Sequence, residues 1–321
     1  MTNRSRSTGT ALAATSVASV QFGAALAVTL FPVLGPVGTV SLRFVGAATV
    51  LVLLTRPWRV RWHGHDLRTV VAFGSVFVVM NLSLYVAISR LPLATAITVE
   101  FLGPLGVAIA TAATWRRRGW AVPAGAGVLL IGGSLHASDL IGVFAALVAA
   151  LAWASYILLS RRMGTSDAGL AGLALATTLG AVLVVPLGVA TAGAALLHPR
   201  TLLLGLAVGV VSSAIPYSLD LLALRRLSTS VFGVLTSLNP AVAAAAGFVV
   251  LRELPPHRQL VGVALVVVAS AGVTLTGHRR PRVAPGSDDR PVASSLAVPT
   301  ASTREADRVA TSGAEDSQRI G

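Results

Sequence analysis

The sequence contains no cysteine and no lysine. Without cysteine it forms no disulfide, holds no thiolate-bound metal and offers no sulfur nucleophile. Its 25 basic residues are therefore all arginine, against 12 acidic ones. Charge of either sign is scarce: 12 % of the 321 residues are charged, where an ordinary soluble domain has about 25 %. The motifs of soluble catalysis are missing too. There is no Walker loop, no dinucleotide fingerprint, no G-x-S-x-G elbow and no histidine pair at metal-ligand spacing. His63 and His65 stand in an Arg-rich loop and read as solvated. These absences argue against an enzyme and imply no cofactor or metal. With 54 % hydrophobic residues, the composition points to an integral membrane protein. A pI near 11.8 would suit a nucleic-acid partner, but the arginines fall in short clusters between apolar runs. That pattern is a topology signal, so no nucleic acid is expected.

Apolar runs of about 20 residues are long enough to cross a bilayer as helices. Ten are present: 13–33, 37–55, 69–89, 93–113, 121–135, 140–159, 169–192, 203–224, 229–251 and 260–276. The fifth is short and its ends are poorly marked. The first follows Arg4 and Arg6, as a signal peptide would, but it is too long for that and nine more runs follow. The basic clusters RPWRVRWHGHDLR, WRRRGW, SRRMG, RRL and HRRPR all fall at alternate connections, on the side where the chain starts. Only Arg90, Arg200, Arg252 and Arg258 fall on the other side. The positive-inside rule then puts both termini in the cytoplasm. Trp58, Trp62, Trp115 and Trp120 lie at helix ends on the same side, as interfacial anchors do. Beyond the last run the chain turns Ser-, Ala- and Asp-rich without periodicity, and we expect a disordered cytoplasmic tail over 279–321.

Shifted by 136 residues, YVAISRLPLATAITVEFLGP (85–104) overlays LLALRRLSTSVFGVLTSLNP (221–240) without a gap. Ala87, Arg90, Leu91 and Pro104 meet Ala223, Arg226, Leu227 and Pro240. The expected architecture is all-α, with ten transmembrane helices in two inverted five-helix repeats, 1–135 and 136–278. An odd number of spans inverts the second unit, and inverted repeats mark secondary transporters with a site near the midplane. The alternative is a bundle whose similar helices converged on similar packing.

Polar groups inside these runs are the candidate site, because each is costly in hydrocarbon. Glu100 lies seven residues into the fourth run, so about 10 Å deep at 1.5 Å per residue. Arg43 lies at comparable depth in the second. The two read either as a structural ion pair or as a balance in which Glu100 exchanges a proton. Asp220 lies near the cytoplasmic end of the eighth run, where it can titrate or simply reach interfacial water. Asn81 and Tyr85, at i and i+4, share a helix face and suit either a polar ligand or a neighbouring helix. Pro216 bends its helix, and Ser212, Ser213 and Tyr217 nearby can satisfy freed backbone groups or line a cavity. Pro104 and Pro240, at matched positions, predict helix breaks beside a central site, with Asn239 adjacent. Gln21, Trp153 and Tyr156 are ambiguous between site and packing.

The stretches MNLSLYVAISRLPLATAITVEFLGPLGVAIA and SSAIPYSLDLLALRRLSTSVFGVLTSLNPAVAAAAGFVVLRELP resemble the EamA-type drug/metabolite transporters. Within that superfamily they look most like the RhtA-type threonine/homoserine exporters, over residues 13 to 276. The chain departs from the pattern in having Asp220 and Asn239 where members often carry Glu. The resemblance implies efflux of small amino acids, or of another small metabolite or drug, across the bacterial inner membrane in exchange for protons. On that reading Arg43, Asn81, Tyr85, Glu100, Tyr217 and Asn239 bind substrate. Glu100 and Asp220 couple protons.

Overall fold

A computed structural model describes residues 3–276, apart from 61, 63, 113, 133–138, 164–168 and 225. The expected tail, 279–321, lies outside the described residues. Every regular element among the described residues is helical. Nine helical segments among them are long and apolar enough to cross a membrane. They are built from α1 (Asn3–Val28), α2 (Phe31–Thr55), α3 (Gly64–Ile88), the pair α4 (Leu93–Glu100) and α5 (Leu102–Ala110), α8 (Leu140–Met163), α9 (Gly169–Ala192), the pair α10 (Pro199–Gly209) and α11 (Ile215–Leu224), the pair α12 (Thr229–Thr236) and α13 (Asn239–Ala246), and α14 (His257–Thr276). Between α5 and α8 lie the short α6 (Trp115–Arg118) and α7 (Ala121–Gly132). At 12 residues α7 is too short to rank with the nine, although it lies along α14.

Hydropathy locates the apolar part of each helix and not its ends. Thus α1 starts at Asn3, well before its apolar run, because a helix can continue into water once its backbone is self-bonded. The second span also begins early, at Phe31, and kinks at Gly35, whose φ of 64° only glycine adopts cheaply. The interrupted spans break where proline sits. Pro104 lies in the first turn of α5 and Pro240 in that of α13, where a missing N–H costs no intrahelical bond. The breaks fall at Phe101 and at Ser237–Leu238.

The helices pack in a definite pattern. α2 lies on α9. α3 lies on α8 and α9, and α1 and α2 both lie on the α10–α11 span. α4 and α5 lie on α8, α12 and α13 on α1, α4 on α13, and α7 on α14. Small residues let backbones meet. A Cβ built on Gly127 would lie 2.7 Å from Gly262 O, and one on Gly262 would lie 2.7 Å from Gly127 O. The main buried cluster centres on Tyr85, Phe77, Phe44 and Leu34. Leucine, valine and phenylalanine side chains such as Leu54, Phe144 and Leu203 are exposed on the outside, as a lipid-facing surface requires.

Candidate functional site

The site begins with a proline. Pro216 has no N–H to give, and its ring crowds the turn before it. The backbone widens into a π turn over Val210–Ala214, in which Ile215 N–H reaches back to Val210 O. The carbonyls of Val211 and Ser212, which residue 216 would otherwise serve, are left to side chains. Ser19 of α1 donates to Val211 O at 2.5 Å. Arg43 of α2 donates from Nη2 to Ser212 O at 3.4 Å and from Nε to Ser213 Oγ at 3.2 Å. Arg43 is thus anchored to a helix break in another span, with three of its five N–H donors uncommitted. Its guanidinium carbon lies 5.2 Å from the centre of the Tyr85 ring, a cation–π approach.

Arg43, Phe44, Ala47, Phe77, Asn81, Thr177 and Ser213 line a narrow cleft of about 160 Å³. It has essentially no room for a water-sized molecule, so the cleft is closed in this conformation. Asn81 donates to Phe77 O at 2.8 Å. The Tyr85 hydroxyl is buried with no partner. Tyr217 packs at a tilt against Phe77, with ring centres 6.1 Å apart and planes 59° to each other.

Glu100 ends α4 and is 4 % exposed. Among the described residues no hydrogen bond or ion pair engages its carboxylate, although the charge of Arg43 reaches it. Arg43 and Glu100 are therefore neighbours without forming a contact pair. The bundle thus holds a buried cation with spare donors and a buried carboxylate with no partner. That is the chemistry needed to take a molecule carrying both charges.

The remaining sequence candidates lie in two other settings. Asn239 accepts from Gln21 Nε2 at 2.8 Å and donates to Thr236 O at 2.8 Å, which leaves Gln21 Oε1 buried and unpaired. Asp220 lies one turn beyond Pro216, whose carbonyl accepts from Ser16 Oγ at 3.2 Å, and its Oδ1 is buried without a partner. Ser16, Ser19 and Thr177 escaped the sequence reading. The two serines are three apart, so they share a helix face, and that face meets the Pro216 break. Thr177 carries no local signal at all. Glu253 was also missed, because it lies in a polar connection where a carboxylate is ordinary.

The chain is similar to known proteins along most of its length. Residues 140–275 match the EamA-like transporter family. The threonine/homoserine exporter RhtA of Salmonella typhimurium is 38 % identical over 271 residues, covering 84 % of this chain and 92 % of that protein. RhtA of Escherichia coli is 37 % identical over the same length and coverage. A protein of known crystal structure, 21 % identical, superposes with a TM-score of 0.60 over 86 % of this chain and all of that one, which speaks for the fold.

Proposed function

Because the chain belongs to the EamA-like transporter family, we propose that it exports threonine, homoserine or a closely similar zwitterionic amino acid from the cytoplasm in exchange for protons. The single observation that carries this reading is the pairing of unused capacities in one closed interior: the spare donors of Arg43 and the unpartnered carboxylate of Glu100. Arg43 takes the cargo carboxylate and Glu100 takes its ammonium group. Asn81, Tyr85 and Tyr217 supply neutral hydrogen bonds, the Tyr85 hydroxyl being free to do so, and Asn239 joins them on giving up its bond from Gln21. A proton arriving at Glu100 from outside displaces the ammonium group, and its departure to the cytoplasm resets the carrier. Asp220, nearer the cytoplasmic end, passes that proton on.

The architecture we propose is ten membrane helices, α7 being the fifth, in two inverted halves of residues 1–135 and 136–278. Several features support it. Exchanging each span of the first half with its counterpart in the second maps the most extensive helix pairings onto one another: α3 on α8 becomes the α10–α11 span on α1, and α4 on α8 becomes α12 and α13 on α1. Spans that pair with their own counterparts, such as α7 with α14, sit where a two-fold axis would run. Gly127 and Gly262 meet reciprocally there. The breaks at Phe101 and Ser237 are 136 residues apart, the shift of the sequence repeat. Arginine placement supports a topology with both termini in the cytoplasm, and the bacterial exporters that the chain resembles support the inner membrane.

The test adds labelled threonine outside inverted membrane vesicles, at the cytoplasmic face, and follows its uptake with and without a pH gradient. Saturable, gradient-dependent movement that is lost in Glu100→Gln at normal protein level is expected. Unchanged movement and pH dependence in Glu100→Gln removes the antiport mechanism. If neither threonine nor homoserine moves, the cargo is another small metabolite.

A further inference from the structure

The first turn of α4 is a problem that the local sequence does not solve. The opening N–H groups of any helix lack intrahelical partners. A Ser, Thr, Asp or Asn just before the helix usually serves them. Here that residue is Pro92, which has no side-chain acceptor. Leu93, next in line, is fully buried, so water does not serve its N–H either. The acceptor comes from 160 residues away: Leu93 N donates to Glu253 Oε2 at 2.9 Å.

Glu253 is delivered there by specific backbone features. Arg252 adopts a left-handed conformation at φ 59°, which turns the chain back after the ninth span. Glu253 N then donates to Gly247 O at 3.1 Å. Gly247 leaves room for the carboxylate, since a Cβ there would lie 2.8 Å from Glu253 Oε2. Two residues further along α4, Thr95 Oγ1 donates to Gln259 Oε1 of α14 at 3.4 Å. The start of α4 is therefore held by the connection between the ninth span and α14. The other end of α4 is Glu100, on the order of 10 Å away along a rigid helix.

We propose that Glu253 is a positioning residue of the transport cycle. By accepting the Leu93 N–H it holds α4, and Glu100 at its far end, in the closed arrangement, and its release opens that end of the chamber. The inference rests on alternating access but not on the identity of the cargo. Carboxylate acceptors at helix starts are strong because the bond is charge-assisted and the helix dipole adds to it. A latch built from one such bond, on a half-helix with no local substitute, is released as a unit.

Because the protein has no cysteine, a single Thr98→Cys, at a fully buried position of α4, reports opening around that helix without background. The label is a membrane-impermeant maleimide, applied to intact cells and, separately, to inverted vesicles. Glu253→Ala is expected to speed labelling several-fold from one face and slow it from the other. Glu253→Gln keeps an acceptor oxygen without a buried charge, so it should hold the latch and slow labelling relative to the parent from the face that Glu253→Ala speeds. Gly247→Ala pushes the carboxylate aside while leaving Glu253 intact, and should shift labelling in the same sense as Glu253→Ala. Equal labelling of variant and parent, or faster labelling from both faces, overturns the proposal, since a merely structural role would loosen the protein without choosing a side. Should Glu253→Ala fail to reach the membrane, Glu253→Gln and Gly247→Ala decide the matter. Failure of threonine transport with a one-sided labelling response leaves the latch standing and removes only the cargo.

Discussion

The starts of α4 and α12 follow the same chain corner and solve the same problem differently. Arg90-Leu91-Pro92 precedes one and Arg226-Leu227-Ser228 the other. Gly142 packs on Arg90 and Leu91 much as Gly9 packs on Arg226 and Leu227. The residue before each helix has nearly the same backbone, φ −52° and ψ 143° at Pro92 against φ −69° and ψ 149° at Ser228. Yet Ser228 serves its own helix, accepting from Val231 N at 3.5 Å, while α4 depends on Glu253. One end of the repeat is self-sufficient and the other is tied to a distant segment. A helix that caps itself can move without breaking a long-range bond. One capped from elsewhere cannot.

The largest effect that would break this contrast is Glu253→Ala. It leaves a buried N–H without an acceptor, at a cost of about 1–3 kcal/mol. The variant is expected to export poorly and to show the one-sided labelling described above. Next comes Pro92→Ser, which gives α4 the cap that α12 already has in an almost identical backbone. On its own it should make export less sensitive to Glu253, and in Glu253→Ala it should return most of the lost protection of Thr98→Cys. If the double variant labels as fast as Glu253→Ala alone, the missing local cap is not what makes α4 dependent.

A pH effect is expected to be smaller. Burial raises the Glu253 carboxyl above its ordinary value of 4.5, and the Leu93 N–H opposes that rise. Neither Arg252, His257 and Arg258 beside it nor Glu100 at the far end of α4 enters this balance. A raised value means that the latched form holds its proton more tightly than an open, hydrated form. The penalty for burying the charge is complete above the raised value and disappears below 4.5. Falling pH on that face therefore favours the latched form. Thr98→Cys labelling in the Glu253 protein, divided by that in Glu253→Gln to cancel the titration of the thiol, should decrease over that window. The smallest effect is Ser228→Ala, which removes a long, local cap. It should cost about 0.5–1 kcal/mol of stability in a melting experiment and leave labelling of α4 unchanged.

Much of the fold is legible in the chain because hydrophobic run length and proline position are local quantities. The apolar runs, the breaks beside Pro104 and Pro240, and the distortion near Pro216 follow from what each stretch can do in hydrocarbon. The ends of α1 and α2 do not, since a helix outlasts its apolar part. The candidate site is legible in kind but not in bonding. Arg43 and Glu100 stand out as charges in apolar runs. That Arg43 spends two donors on the Pro216 break, and that Glu100 keeps none of its neighbours, depends on how α2, α4 and the α10–α11 span meet.

By itself, then, the sequence determined that this is a helical membrane protein with charges it must shelter, because transfer from water to hydrocarbon is decided residue by residue. Only the tertiary structure decided which freed carbonyl Arg43 would serve and which carboxylate would serve the first turn of α4. Both are pairings between segments more than 150 residues apart. A hydrogen bond needs its partners within about 3 Å, and packing, not chain neighbourhood, brings them there.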